Sequence, residues 1–150
     1  DLFGSSLLLE DEQGNVNGQP RSVPAVTLDE MIRQRRLPAP YFIKVDAQGA
    51  ELDVLAGAGE AISQASLVLL ETSFHSFFKD GPLFQQVVAW MAERGLVIYD
   101  LFGLSHRPLD GALAQIDAVF VPQSSPLRAN SHFASMAQRE ALTEKLRRSQ

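Results

Sequence analysis

Tyr41-Phe-Ile-Lys-Val-Asp-Ala-Gln-Gly-Ala-Glu51 is the stretch on which the reading of this chain turns. It predicts a short apolar strand that runs into a turn at Gln48-Gly49 and opens a helix at Ala50-Glu51, the join where α/β folds place their chemistry. Successive strand residues alternate faces, so Phe42, Lys44 and Asp46 share one face while Tyr41, Ile43 and Val45 share the other. A buried parallel strand should be apolar on both faces, and here a cation and an anion stand two residues apart on one side. Such charges cost stability unless they are paired or used. The turn needs a residue tolerant of positive φ, and Gly49 is placed for it. Glu51 falls in the first helical turn, where the free amides and the helix dipole favour a negative charge. Each residue has a structural alternative: a dipole-stabilising role for Glu51, and a half-buried ion pair on an edge strand for Lys44 and Asp46.

Downstream, Leu52, Val54, Leu55 and Ala58 fall at helical spacing, and Ser66-Leu-Val-Leu-Leu-Glu-Thr72 predicts a second buried strand that ends in an acid. A helical connection between the two strands implies a parallel pair with a right-handed crossover and carboxyl ends on one sheet edge. Adjacent strands lie about 4.8 Å apart, so Asp46 and Glu71 project into one crevice if their registers align. Paired carboxylates can raise one another's pKa to make a general base, hold a divalent cation, or neutralise a cationic group, and sequence does not choose among these. Glu71 can equally be the polar end of an ordinary strand. Residues 72–81 form a loop with His75 among Phe74, Phe77 and Phe78. His75 can take a proton near neutral pH or sit in an aromatic lid, and the phenylalanines close the core or form a hydrophobic substrate wall.

Elsewhere, residues 5–10 and 21–26 predict a hairpin beside the main sheet, with Asn17-Gly18 in its turn and Pro24 restricting the second strand to an edge or bulge. Thr27-Leu-Asp-Glu30 has capping-box spacing for a helix to about Arg36, ended by Pro38 and Pro40. Residues 82–94 predict a helix closed by Gly95, with Trp90 in the core. Strands follow over 96–102 and 115–121, joined by a loop with His106, Arg107, Pro108 and Asp110-Gly111 that suits an antiparallel return. Past Pro122 the chain reads as an extended tail with an exposed helix over 134–148 and His132 on the surface.

With 150 residues, 45% hydrophobic and 21% charged, the composition is that of one ordinary globular domain. A net charge of −5 and a pI near 5.1 argue against a nucleic-acid surface. The basic cluster Lys145, Arg147 and Arg148 reads as a solvated helix face. The absence of cysteine excludes disulfides and thiolate metal sites. Apolar runs fall short of the roughly 18 residues that span a bilayer, and no signal-peptide pattern precedes them, so the expectation is a cytoplasmic protein without a membrane partner. The start at Asp1 fits a trimmed fragment or a processed chain.

Ile43-Lys-Val-Asp-Ala-Gln-Gly-Ala-Glu51, followed by an apolar helix and Gly57-Ala58, resembles the pattern I-K-x-D-x-x-G-x-E of FkbM-type S-adenosylmethionine-dependent methyltransferases. Thr27-Leu-Asp29, Leu67-Val-Leu-Leu-Glu71, Tyr99-Asp-Leu-Phe-Gly103 and Arg107 to Val121 extend the resemblance over about residues 5–130. It implies an α/β, Rossmann-like, mostly parallel sheet closed by a C-terminal antiparallel hairpin. The glycine-rich D-x-G-A-N-x-G turn and the acidic strand end that grip the cofactor do not occur, so the chain resembles the C-terminal half of such a domain, over 1–130, with 131–150 as a tail. The cofactor implied is S-adenosyl-L-methionine, near Asp46, Gln48, Gly49 and Glu51. Asp46 and Lys44 then lie nearest the line of transfer, with Glu71 and His75 as bases or hydroxyl-orienting groups, and no metal is implied. The implied acceptor is a small-molecule or glycan hydroxyl, on a sugar or secondary metabolite. Two other readings are a non-catalytic α/β scaffold or interaction domain and a divalent-metal site on Asp46 and Glu71. A first strand with an open apolar edge predicts a homo-oligomer paired there, or a hairpin from 5–26 folded over it.

Overall fold

The computed structural model describes residues 22–148, so the first strand and turn of the expected 5–26 hairpin lie outside the described residues. Residues 22–26, expected as part of that hairpin's second strand, are not a strand: with Thr27 they run without regular structure up to α1 (Leu28–Arg35), in keeping with Pro24, which removes a ladder donor. Thr27 Oγ1 accepts from the Glu30 amide at 3.1 Å, and α1 ends on Arg36 at φ 51°, ahead of the two prolines. Asp29 faces away from this cap. Its carboxylate accepts from the Glu60 amide (3.0 Å) and the Ala61 amide (2.9 Å), which ties α1 to the start of α3 (Gly59–Ser63).

The chain continues through β1 (Tyr41–Val45), α2 (Glu51–Ala56), α3, β2 (Ala65–Ser73), α4 (Phe84–Glu93), β3 (Leu96–His106), β4 (Leu113–Pro122) and α5 (Met136–Arg148). The described strands form one mixed sheet in the order β1-β2-β4-β3. β1 and β2 are parallel, while β2–β4 and β3–β4 are antiparallel. The chain is therefore α/β with the expected closing hairpin, but the expected mostly parallel character holds only for β1–β2 among the described strands. β4 returns through the 107–112 turn and inserts beside β2. Its sequence suits that place: Ala118, Val119, Phe120 and Val121 are all buried, the continuous apolar run of a strand covered on both faces. β3 takes the outer position and is exposed from Tyr99 to His106.

The faces of β1 follow the alternation of its sequence. Ile43 and Val45 are buried against Leu55 and Ala58 of the helical layer, continuous with Val68, Leu70, Val87, Met91 and Phe120. Each fully buried Leu, Met or Phe here contributes about 1.5–3 kcal/mol. On the other face Phe42 is 64% exposed, and Lys44 and Asp46 reach solvent. Trp90 packs against the core but is only partly buried, and Arg94 lies over its ring at 3.4 Å, covering part of the outer face. Beyond β4, the expected extended stretch contains a 3-10 turn at Pro126–Arg128, capped by Ser125. α5 carries no buried residue.

Candidate active site

The turn after β1 is held from inside. Glu51, 5% exposed, accepts with one oxygen, Oε1, from the Ala47 amide (3.2 Å) and the Gly49 amide (3.0 Å). Gln48 and Gly49 occupy left-handed backbone at φ 51° and 96°. The glycine is needed twice over, since a Cβ at Gly49 would lie 2.8 Å from Phe78 Cβ. Phe78 is buried, and its loop closes over the turn through Gly81, as expected of an aromatic that seals the core.

The latch aims Gln48. With Val45 opposite Leu70 in the parallel register, the residues that follow stand side by side, Asp46 just past the end of β1 and Glu71 two residues before the end of β2. Gln48 Nε2 donates to Asp46 Oδ1 and to Glu71 Oε2, both at 3.1 Å. Gln115 Nε2, from β4, donates to the same Glu71 Oε2 at 3.0 Å. Asp117 stands opposite Glu71 in the β2–β4 register. Partial burial raises the Glu71 pKa above its ordinary 4.5, the charges of Asp46, Asp117 and Glu51 raise it further, and the Gln48 hydrogen bond opposes them. Lys44 Nζ lies 3.5 Å from Asp46 Oδ2, with side chains 54% and 42% exposed. That contact is the edge-strand ion pair among the alternatives for these two residues.

His75 sits half-buried in the loop beyond β2, its ring 5.8 Å from Phe77, and makes no side-chain hydrogen bond among the described residues. The hairpin turn of β3 and β4 approaches the same sheet edge. There Arg107 grips Asp110 at 2.8 and 2.6 Å, which brings the Asp110 pKa down to about 2 with help from the Ala112 amide and a smaller contribution from His75.

Asp46, Gln48 and Glu71 are thus joined in one hydrogen-bonded group, with Lys44 at its rim. Gly49 and Glu51 build the turn beneath it, and His75 lies apart from its hydrogen bonds. Gln115 and Asp117 escaped the sequence reading. The one available signal was the polar–apolar alternation of Gln115-Ile-Asp117 inside an otherwise apolar strand.

The implied cofactor can be tested against these atoms. The Cβ position of Gly49 is filled by Phe78, and the Glu51 oxygen that faces the turn is taken by backbone amides, so these two residues build the turn and leave Asp46 and Gln48 as its polar groups toward a nucleoside. What the described residues offer is a row of carboxylates and carboxamides, suited to hydroxyl groups and to a cation. Among the described residues, no three His, Cys, Asp or Glu side chains converge to hold a metal ion. No helix among them is long and apolar enough to cross a membrane.

Comparison with known proteins adds one finding. Residues 3–98 match the family model described as Methyltransferase FkbM domain, a span that contains the turn, Glu71 and His75 but ends before β4. No curated protein matches, and no solved structure does.

Proposed function

The chain belongs to the FkbM methyltransferase family, and from that premise we propose that it O-methylates a hydroxyl on a sugar or secondary metabolite, with S-adenosyl-L-methionine as donor and Glu71 as general base. The observation that carries this reading is the environment of Glu71. One of its oxygens is fixed by two carboxamides, and partial burial, followed by its neighbours Asp46 and Asp117, raises its affinity for a proton. A carboxyl so placed suits the loss of a hydroxyl proton during displacement.

When bound, the donor supplies an electrophilic methyl group. The chain's own residues act on the acceptor: Glu71 Oε1 takes the hydroxyl proton as the oxygen attacks, and the carboxyl becomes neutral. Asp46, steadied by Gln48 and Lys44, orients a neighbouring hydroxyl or faces the positive end of the donor. Gly49 and Glu51 serve through the turn, by fixing where Gln48 and Asp46 point. His75 stands at the rim as a hydroxyl-orienting group. The parallel β1–β2 pair with acids at both carboxyl ends supports a Rossmann-like methyltransferase half, in which the nucleoside grip comes from elsewhere in the domain. The place of β1 at the end of the described sheet supports pairing with a second copy, and sedimentation equilibrium is then expected to return a dimer or larger species.

A scaffold that has kept the sheet and lost the chemistry is the competing reading, favoured by the filled turn at Gly49. Calorimetric titration with S-adenosylhomocysteine, on this chain and on one extended at its N-terminus by native sequence, separates the two. Binding by the extended chain, weakened by Asp46→Asn, is the expected result. Binding by neither chain overturns the methyltransferase reading.

A further inference from the structure

We propose that β4 supplies the site with two positioning residues, Gln115 and Asp117, which fix the Glu71 carboxyl so that Oε1 is the oxygen that receives the acceptor's proton. The inference rests on the reading of Glu71 as base, and it assigns a task to a strand that the family match does not reach.

Three observations carry it. First, Glu71 Oε2 accepts two N–H bonds, from Gln48 at 3.1 Å and from Gln115 at 3.0 Å. A carboxylate oxygen has two in-plane lone pairs, so both on Oε2 are engaged, while Oε1 accepts no hydrogen bond among the described residues. Second, the two donors come from opposite sides, one from the turn after β1 and one from the antiparallel neighbour β4, so the carboxyl is held between them. Third, Asp117 faces Glu71 across the β2–β4 ladder in room left by Gly103 of β3. A Cβ at Gly103 would overlap Asp117 Oδ2, and Gly103 itself sits at φ 62°, where a side chain is strained.

The two residues act in opposite senses on the proton. The hydrogen bond that Gln115 donates favours the charged carboxylate, as any donor to it does, whereas the like charge of Asp117 disfavours it. The other groups that face Glu71 are Asp46 from the end of β1, Gln48 from the turn and Glu51 from α2, and all three remain in both variants. Gln115→Met is therefore expected to move the Glu71 titration midpoint up, and Asp117→Asn to move it down, each by on the order of half a pH unit or more.

The test is a carboxyl-carbon NMR titration of the full chain labelled at glutamate, with the Glu71 signal assigned by its loss in Glu71→Gln. Opposite shifts in the two variants establish the positioning role. Shifts of the same sign, or none, overturn it, because a merely structural loss of packing would move both midpoints together. If Gln115→Met fails to fold, Gln115→Glu keeps the volume, removes the donor and adds a charge, and an unmoved or lowered midpoint there overturns the proposal equally. The base reading fails by a different measurement, if Glu71→Gln leaves methyl transfer intact, so the two failures are distinguishable.

Discussion

Glu51 and Glu71 lie in one small region, each within reach of Gln48 or its turn, and they are satisfied in opposite ways. Glu51 is nearly inaccessible, and its Oε1 spans two backbone amides of its own turn. Glu71 is half-buried, takes its hydrogen bonds from side-chain amides on two other segments, and has carboxylates for neighbours. Backbone donors come with the fold and bind a carboxylate into it. Side-chain donors surrounded by like charge leave it with a raised affinity for a proton. A third acid, Asp110, marks the other limit, since a bidentate arginine satisfies it so fully that its pKa falls to about 2. Burial alone would have ranked Glu51 first as a reactive group; the identity of the partners ranks Glu71 first.

The sharpest way to break this contrast is to exchange Glu71, the proposed base, for its amide. Glu71→Gln is expected to lower methyl transfer by about 10²- to 10⁴-fold, the usual worth of a general base. The same change is expected to raise the melting temperature at neutral pH. Because the folded pKa lies above the ordinary 4.5, the native state binds the proton more tightly than the unfolded chain. Stability contributed by this group is then lost as pH rises from 4.5 through the folded value. An amide never pays that charge penalty, so activity and stability should move in opposite directions. A variant that loses both would mean that Glu71 is structural, as Glu51 is.

Changes to the latch should behave in the opposite way. Glu51→Ala strands two partly buried amides and is expected to cost about 2–3 kcal/mol in urea unfolding. Gly49→Ala forces a side chain into positive φ and against Phe78, with a similar cost. In both variants activity is expected to fall with the folded fraction, which circular dichroism measures alongside the assay, and further where the loosened turn no longer aims Gln48 and Asp46.

Much of this arrangement was legible in the sequence, for local reasons. The parity of β1, the Thr27 cap, the glycine at positive φ and the acids at neighbouring strand ends follow from period, capping and turn chemistry acting over a few residues. Three things were not legible. β4 inserts beside β2, a long-range choice that only its continuous apolar run hinted at, and with it came Gln115 and Asp117. The role of Glu51 was hidden because a first-turn acid reads as a dipole partner, whereas here α2 has six residues and the carboxylate turns back to the amides before it. The filling of Gly49 by Phe78 depends on a loop about thirty residues later, which no local pattern encodes.

The Asp110 pair sharpens the comparison through pH. Its folded pKa, about 2, lies below the ordinary 3.8, so the stability it contributes is present above 3.8 and lost as pH falls from there toward 2. Asp110→Asn is therefore expected to lower the melting temperature slightly at pH 7 and to leave it unchanged near pH 2. An equal loss at both values would show that the pair acts through packing rather than charge.

Lys44 gives the smallest effect and the finest discrimination. Its ion pair with Asp46 is long, at 3.5 Å, and both side chains are about half exposed, so solvent screens most of the attraction. Lys44→Met is expected to change stability by less than about 1 kcal/mol, because the stem still lies along the sheet and only the screened charge is removed. The same variant removes the one cation in contact with Asp46 among the described residues, which leaves that carboxylate held only by Gln48. A loss of methyl transfer larger than the loss of stability would then place Lys44 with Glu71, among groups whose partners serve chemistry. Matched small losses would place it with Asp110, as a surface pair at the margin of the site.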